Sequence, residues 1–138
     1  MADNSKLLNV EIISPDRVFF EGTADFVELR TTEGEIGVYR GHIPLTSILS
    51  PGVLRLHEDG EVKTAALHDG FVEIFPDRIS IMAESCEWPD EIDVDRANAA
   101  KERAEERLRS NSEDINIQRA ELALRRALVR IELGTSKN

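Results

Sequence analysis

The chain has 138 residues and a mass of 15.5 kDa, room for one domain of usual size or a small domain with an appendage. Lys and Arg total 17 against 27 Asp and Glu, and the resulting net charge of -10 argues against binding to a nucleic-acid backbone. With 41% hydrophobic and 32% charged residues the balance is globular rather than disordered, and a single cysteine, Cys86, excludes an internal disulfide or a Cys-based zinc site.

The start, Met-Ala-Asp-Asn-Ser-Lys, carries no basic or apolar leader, and no apolar run nears the roughly 20 residues needed to span a bilayer. The expectation is a chain in a reducing cytosol, without direct membrane insertion.

From Leu7 to about Glu84, short apolar stretches alternate with turn residues, the grammar of a sandwich or barrel. The spacing predicts strands over residues 8–13, 17–21, 24–31, 34–39, 46–50, 52–57, 62–67, 70–75 and 79–83. Ser14-Pro15-Asp16, Pro51-Gly52 and Pro76-Asp77 are turn chemistry, and Asp59-Gly60 between two apolar runs signals a type I′ hairpin. Gly34-x-x-Gly37 followed by Gly41 lacks the Lys-Ser/Thr of a phosphate loop and leads into a strand. His42, His57 and His68 have no metal-ligand spacing, His42 reads as a structural or interface residue, and Cys86 reads as a half-buried, unreactive thiol.

After Trp88-Pro89 the composition turns to Ala, Glu, Arg and Leu, with no Gly or Pro before Gly134. Asp93 is suited to cap a first helix, whose apolar stripe is Ala97, Ala100, Ala104 and Leu108. Ser110-Asn111-Ser112 breaks it, and a second helix is predicted from about Asp114 to Leu133, striped by Ala120, Leu124, Ala127 and Ile131 and stopped by Gly134. The fold class read from this order is α+β: an N-terminal antiparallel β-sandwich over 1–88, then a C-terminal antiparallel two-helix hairpin over 89–138. A seam lined by alanine is weakly held, so the hairpin is expected to move.

Charge divides at the same place. Residues 1–90 hold 17 acidic and 7 basic side chains, while residues 91–138 hold 10 of each. At about 100° per residue, Arg96, Arg103 and Arg107 share one arc of the first helix, and Arg119, Arg126 and Arg130 share one of the second. Two such rows repel unless an anion or carboxylates lie between them. They read either as a solvated face paired with Glu102, Glu106 and Glu121 or as a polyphosphate site. No Gly-x-Ser-x-Gly elbow or Cys/His dyad is present, and nothing selects one carboxylate pair among 27 acids, so an independent active site is not expected.

The stretch Glu33-Gly34-Glu35-Ile36-Gly37-Val38-Tyr39-Arg40-Gly41-His42-Ile43-Pro44-Leu45, then Gly70-Phe71-Val72-Glu73-Ile74, Asp93-Val94-Asp95-Arg96-Ala97 and Arg119-Ala120-Glu121-Leu122-Ala123, resembles the epsilon subunit of the F-type ATP synthase over nearly the whole chain. Arg40 stands where many members have Pro, and His68-Asp69-Gly70 where many have Ser-Gly-Gly. The resemblance implies a non-catalytic rotor subunit whose sandwich docks on the gamma subunit and the membrane rotor ring. Its hairpin lies folded on the sandwich or extends along gamma toward the catalytic alpha and beta subunits, where it inhibits hydrolysis. It further implies a peripheral place on the cytoplasmic face of a cell membrane, or the stromal side of a thylakoid, with Glu35, Val38, Tyr39, Arg40 and His42 at or near the gamma and ring interface.

Some members bind ATP in the folded hairpin, and Ile92-Asp93-Val94-Asp95-Arg96-Ala97 resembles their motif, with Arg103, Arg126, Arg130 and Glu87 at matching positions. By that resemblance Arg103, Arg126 and Arg130 meet the phosphates, Glu87, Asp93 and Arg96 orient the nucleoside end and helix start, and Ile92 and Ala97 contact the base. ATP is then a regulatory ligand rather than a required cofactor, with the role of Mg²⁺ left open. The alternatives are a free-standing ATP-sensing module and a small hydrolase with an unrecognised carboxylate pair.

Overall fold

The computed structural model describes residues 6–110 and 116–136. Eight strands precede two helices: β1 Leu8–Ser14, β2 Arg17–Ala24, β3 Phe26–Thr31, β4 Gly34–Tyr39, β5 Leu45–Ile48, β6 Gly52–Glu58, β7 Glu61–Phe75, β8 Arg78–Glu87, α1 Val94–Arg109 and α2 Ile117–Ser136. The strands form one hydrogen-bonded array in the order β2-β1-β8-β7-β6-β3-β4, with β5 also paired to β7, folded over a shared core that includes Leu8, Ile12, Leu29, Val38, Leu54 and Ile81. One pairing departs from the expected antiparallel set: β1 runs parallel to β8 and brings the first strand back beside the last.

Two of the nine expected strands are one. β7 continues through residues 62–67 and 70–75 as a single 15-residue strand, its first half paired to β6 and its second to β5. The sequence reads as two because the in/out alternation slips at Asp69-Gly70: Ala65 and Leu67 are buried before it, Val72 and Ile74 after. Asp69 has φ 49° and Gly70 φ 115°, and a Cβ on Gly70 would run into the Met82 carbonyl of β8, so the kink requires glycine. The Asp59-Gly60 turn joins β6 to β7 with φ 53° and 79°, the pair of positive angles a type I′ hairpin demands.

A short 3-10 turn, Pro89–Glu91, leads to α1, where the Asp93 side chain accepts from the Arg96 backbone N–H as an N-cap. Ser110 closes α1, and the expected break at Asn111-Ser112 and the start near Asp114 lie outside the described residues. Asn116 Oδ1 accepts from Arg119 N at 3.1 Å and caps α2. Gly134 does not end α2, which continues to Ser136. Its glycine has a packing reason instead: a Cβ there would lie 2.5 Å from Val94 Cγ2 and 3.2 Å from Ile92 Cγ2.

The helix seam buries Ala97 and Ala104 of α1 and Ala120 and Ala127 of α2, as the stripes predict. α2 carries the hairpin onto the sandwich, where Val129 and Leu133 join Val53 of β6, Ala66 of β7 and Ile92 in a second, smaller apolar cluster. Five buried residues make a far smaller apolar contact than the main core, so hairpin and sandwich are held together by a fraction of the energy that holds the sandwich.

Candidate functional site

A cavity of about 370 Å³ opens between the end of β8 and the two helices, lined by Glu87, Glu91, Asp93, Arg96, Ala97, Ala100, Arg103 and Arg130. Six of the eight residues expected at a nucleotide site line it: Glu87, Asp93, Arg96, Ala97, Arg103 and Arg130. The three acids come from the strand end and connecting segment, and the three arginines from both helices.

Each acid has work to do. Glu91 pairs with Arg17 of β2 through both oxygens, at 2.8 and 2.9 Å, and one of them also accepts from Trp88 N. Glu87 Oε1 accepts from Arg130 Nε at 2.6 Å. The His68 ring beside it, together with Arg130, holds the Glu87 carboxyl down to about 2. His68 Nε2 stands 3.5 Å from Glu87 Oε1 and neither ring nitrogen has a hydrogen-bond partner among the described residues, so the ring acts on the carboxylate by proximity and Arg130 is the contact that fixes it in place. Burial lowers the His68 pKa and keeps the ring neutral.

With Asp93 capping α1 and Glu87 and Glu91 paired, the guanidinium groups of Arg96 and Arg103 have no ion-pair partner among the described residues. Both are exposed and reach the same cavity. Two unpaired guanidinium forks with Arg130 alongside suit an anion carrying several oxygens. Ala97 and Ala100 leave one wall small and apolar. Among the described residues no group of three His, Cys, Asp or Glu side chains could hold a metal ion.

Two expected residues lie elsewhere. Ile92 is buried in the apolar cluster under α2, where its side chain loses more water contact than at a cavity wall. Arg126 is turned away to Asp69 of the β7 kink, with Nη2 and Nε at 2.6 and 2.8 Å from Oδ2. Two arginines of the second row are thus each paired with a carboxylate of the sandwich, Arg126 with Asp69 and Arg130 with Glu87. Sequence reasoning missed Glu91 and Ala100; the partner of Glu91 is 74 positions away, and no local pattern marks that pairing.

Of the expected interface residues, Glu35 and Tyr39 are exposed on β4, and Tyr39 stacks on Phe26 with ring centroids 4.3 Å apart. Val38 is fully buried in the core and offers no side chain to a partner. Arg40 donates to the Leu7 carbonyl, and the His42 segment is tied to the β7–β8 turn by Gly41 N to Pro76 O. Glu35 stands apart from these two, beside a cleft shared with Arg125 and Glu132 of α2.

A larger surface escaped the sequence reading. Ile48, Phe71, Met82, Ile13 and Val18 are register neighbours in turn across β5, β7, β8, β1 and β2. Four of them are exposed, with Ile48 at 62% and Val18 at 58%. The row crosses the half of the sandwich that contains β5, β1 and β2, whereas α2 packs on β6 and β7.

The family model for the ATP synthase delta/epsilon chain β-sandwich domain matches residues 7–89, and that for the long α-helix domain of the same chain matches 90–133. Chains named ATP synthase epsilon chain are similar throughout: 46% identical over 128 residues in Halalkalibacterium halodurans, covering 92% of this chain and 96% of that one, and 45% over 130 residues in Shouchella clausii, covering 94% and 96%. Among solved structures, a chain of the Euglena gracilis mitochondrial ATP synthase OSCP/F1/c-ring assembly superposes with a TM-score of 0.79 at 23% identity, over 93% of this chain and 81% of that one.

Proposed function

The chain belongs to the ATP synthase delta/epsilon family as an epsilon chain, a non-catalytic subunit of the F-type enzyme's central stalk, and on that premise we propose that its hairpin regulates ATP hydrolysis with ATP as the regulatory ligand. The observation that carries the ligand is the cavity between the helices, with the unpaired guanidinium groups of Arg96 and Arg103 facing it beside Arg130. The triphosphate lies against Arg103 and Arg130, and the nucleoside end against Asp93, Arg96 and Ala97. A ligand held by both helices binds the docked hairpin better than the extended one, so ATP favours docking and relieves inhibition. The free-standing sensor gives way to a subunit with this property.

Docking on gamma and the rotor ring is supported by the exposed apolar row from Ile48 to Val18, an in-register stripe of the kind that marks a protein interface. Tyr39, Arg40 and His42 extend that role to the loop end of the sandwich. The alanine seam supports a hairpin that opens at modest cost and reaches the alpha and beta subunits. Among the described residues no helix is long and apolar enough to cross a membrane. Membership of the family supports a peripheral place on the cytoplasmic face of the membrane.

The test is titration of the whole chain with ATP, followed by Trp88 fluorescence and the thermal midpoint. Trp88 is the only tryptophan, and its backbone N–H donates to Glu91 in the cavity wall. A saturable change is expected, weakened at least tenfold in Arg103→Ala, the scale of one lost charge-assisted hydrogen bond. A flat response in both readouts would overturn the ATP reading.

A further inference from the structure

Arg126 and Arg130 stand one helical turn apart on α2, and each ends on a carboxylate of the sandwich. Arg130 remains in the cavity wall while bound to Glu87, but Arg126 does not line the cavity. What draws it away is Asp69. The positive φ angles at Asp69 and Gly70 turn the β7 backbone so that the carboxylate meets α2, and Gly70, in register with Ala83 of β8, lies where a Cβ would meet the Met82 carbonyl. Asp69 Oδ2 takes both Nη2 and Nε of Arg126, the edge that a phosphate oxygen would take. One guanidinium edge serves one anion at a time.

We propose that Asp69 is an internal competitor for the nucleotide's phosphates: it occupies Arg126 in the docked hairpin, ties α2 to the sandwich, and lowers the affinity of the cavity for a polyphosphate. This rests on the reading of the cavity as an ATP site and adds how that site is set. Two carboxylates of the sandwich, Asp69 and Glu87, hold α2 through Arg126 and Arg130. A bound triphosphate that recruits Arg126 from one turn along α2 must first break the Asp69 pair, which subtracts from the net gain of binding. Asp69 therefore tunes both the affinity of the site and the strength of its coupling to docking.

Asp69→Asn is the discriminating variant, because asparagine keeps the size of the side chain and tolerates a positive φ, leaving the kink intact. In the full-length chain, hydrogen exchange of the α2 amides without ligand should accelerate several-fold, while the circular dichroism spectrum is unchanged. Binding of ATP and of inorganic tripolyphosphate should each tighten about tenfold, and binding of adenosine should not change. Equal affinity of wild type and Asp69→Asn for ATP and tripolyphosphate overturns the competition and leaves the ATP site standing. Equal tightening of adenosine overturns it too, since a general loosening of the fold would then be the cause. If neither chain binds ATP or tripolyphosphate, the ATP reading itself falls and the competition falls with it.

Discussion

Arg17 and Glu91, 74 positions apart, are joined by two hydrogen bonds of 2.9 and 2.8 Å. The pair ties the second strand to the turn that leads into α1, and Glu91 reaches on to the backbone N–H of Trp88. Both side chains are more than a third exposed, which limits the worth of the pair to about 0.5–1 kcal/mol. Arg17→Ala should lower the thermal midpoint by only a few degrees. It should nevertheless change the Trp88 emission, because the group that holds the indole's backbone loses its anchor. An unchanged spectrum would mean that Arg17 does not position this turn.

Acid should weaken the protein in two stages. Burial lowers the His68 pKa below its usual 6.5, and the surroundings of Glu87 lower its carboxyl from 4.5 to about 2. In both cases the folded chain binds fewer protons than the unfolded one, so stability rises with pH. The His68 contribution is complete above about pH 6.5 and is lost as pH falls through its lowered value; that of Glu87 is complete above about 4.5 and is lost toward 2. Thermal midpoints measured from pH 7.5 to 3 should fall by several degrees, and Glu87→Gln should flatten the lower stage. A midpoint that does not move between pH 7.5 and 4 would contradict the burial of a neutral His68.

Gly134→Ala separates helix propensity from packing. In an exposed helix the change stabilises by about 1 kcal/mol. Here the new methyl group meets Val94 Cγ2 at 2.5 Å, and the expected net loss is about 1–2 kcal/mol, with α2 pushed off the start of α1. Denaturant unfolding measures the loss, and hydrogen exchange should localise it to the hairpin. A raised midpoint would show that the neighbours shift freely.

The Cys86 thiol is 6% exposed, and burial pushes its pKa up to about 11. It should react with a thiol reagent at neutral pH many times more slowly in the native chain than in denaturant. Fast native labelling would mean that β8 opens near the helix junction.

Phe71→Ser and Ile48→Ser address the exposed row. Both positions are exposed, so the isolated chain should change in stability by about 0.5 kcal/mol or less. Binding to the gamma-containing assembly should weaken at least tenfold, as measured by co-purification or surface plasmon resonance. Full binding by the double variant would place the docking surface elsewhere.

Much of this architecture was legible in the residues. Turn chemistry at Asp59-Gly60, the Asp93 cap and the alanine stripes are local signals, and each appears where its spacing puts it. Alternation also marked most strands. It misled at Asp69-Gly70, where one left-handed step resets the inward face without ending the strand. Gly134 shows the same limit: glycine after an apolar stripe signals a stop, but the demand for space came from Val94, 40 positions earlier and set by tertiary contact. At the candidate site, Arg96 and Arg103 of one expected row share the cavity with Arg130 of the other, but periodicity could not show which arginines a sandwich carboxylate would claim. The apolar row was invisible because its five members come from five strands.

The kinked strand β7 places two surfaces within a few ångströms of chain. Asp69 holds the hairpin and Phe71 lies in the apolar row, with Gly70 alone between them. A body seated on Phe71 would bear on the same short piece of backbone that carries Asp69, and at Gly70 that backbone runs so close to β8 that there is no room for a Cβ. A partner that gripped Phe71 would therefore load the chain one residue away from the Asp69–Arg126 pair.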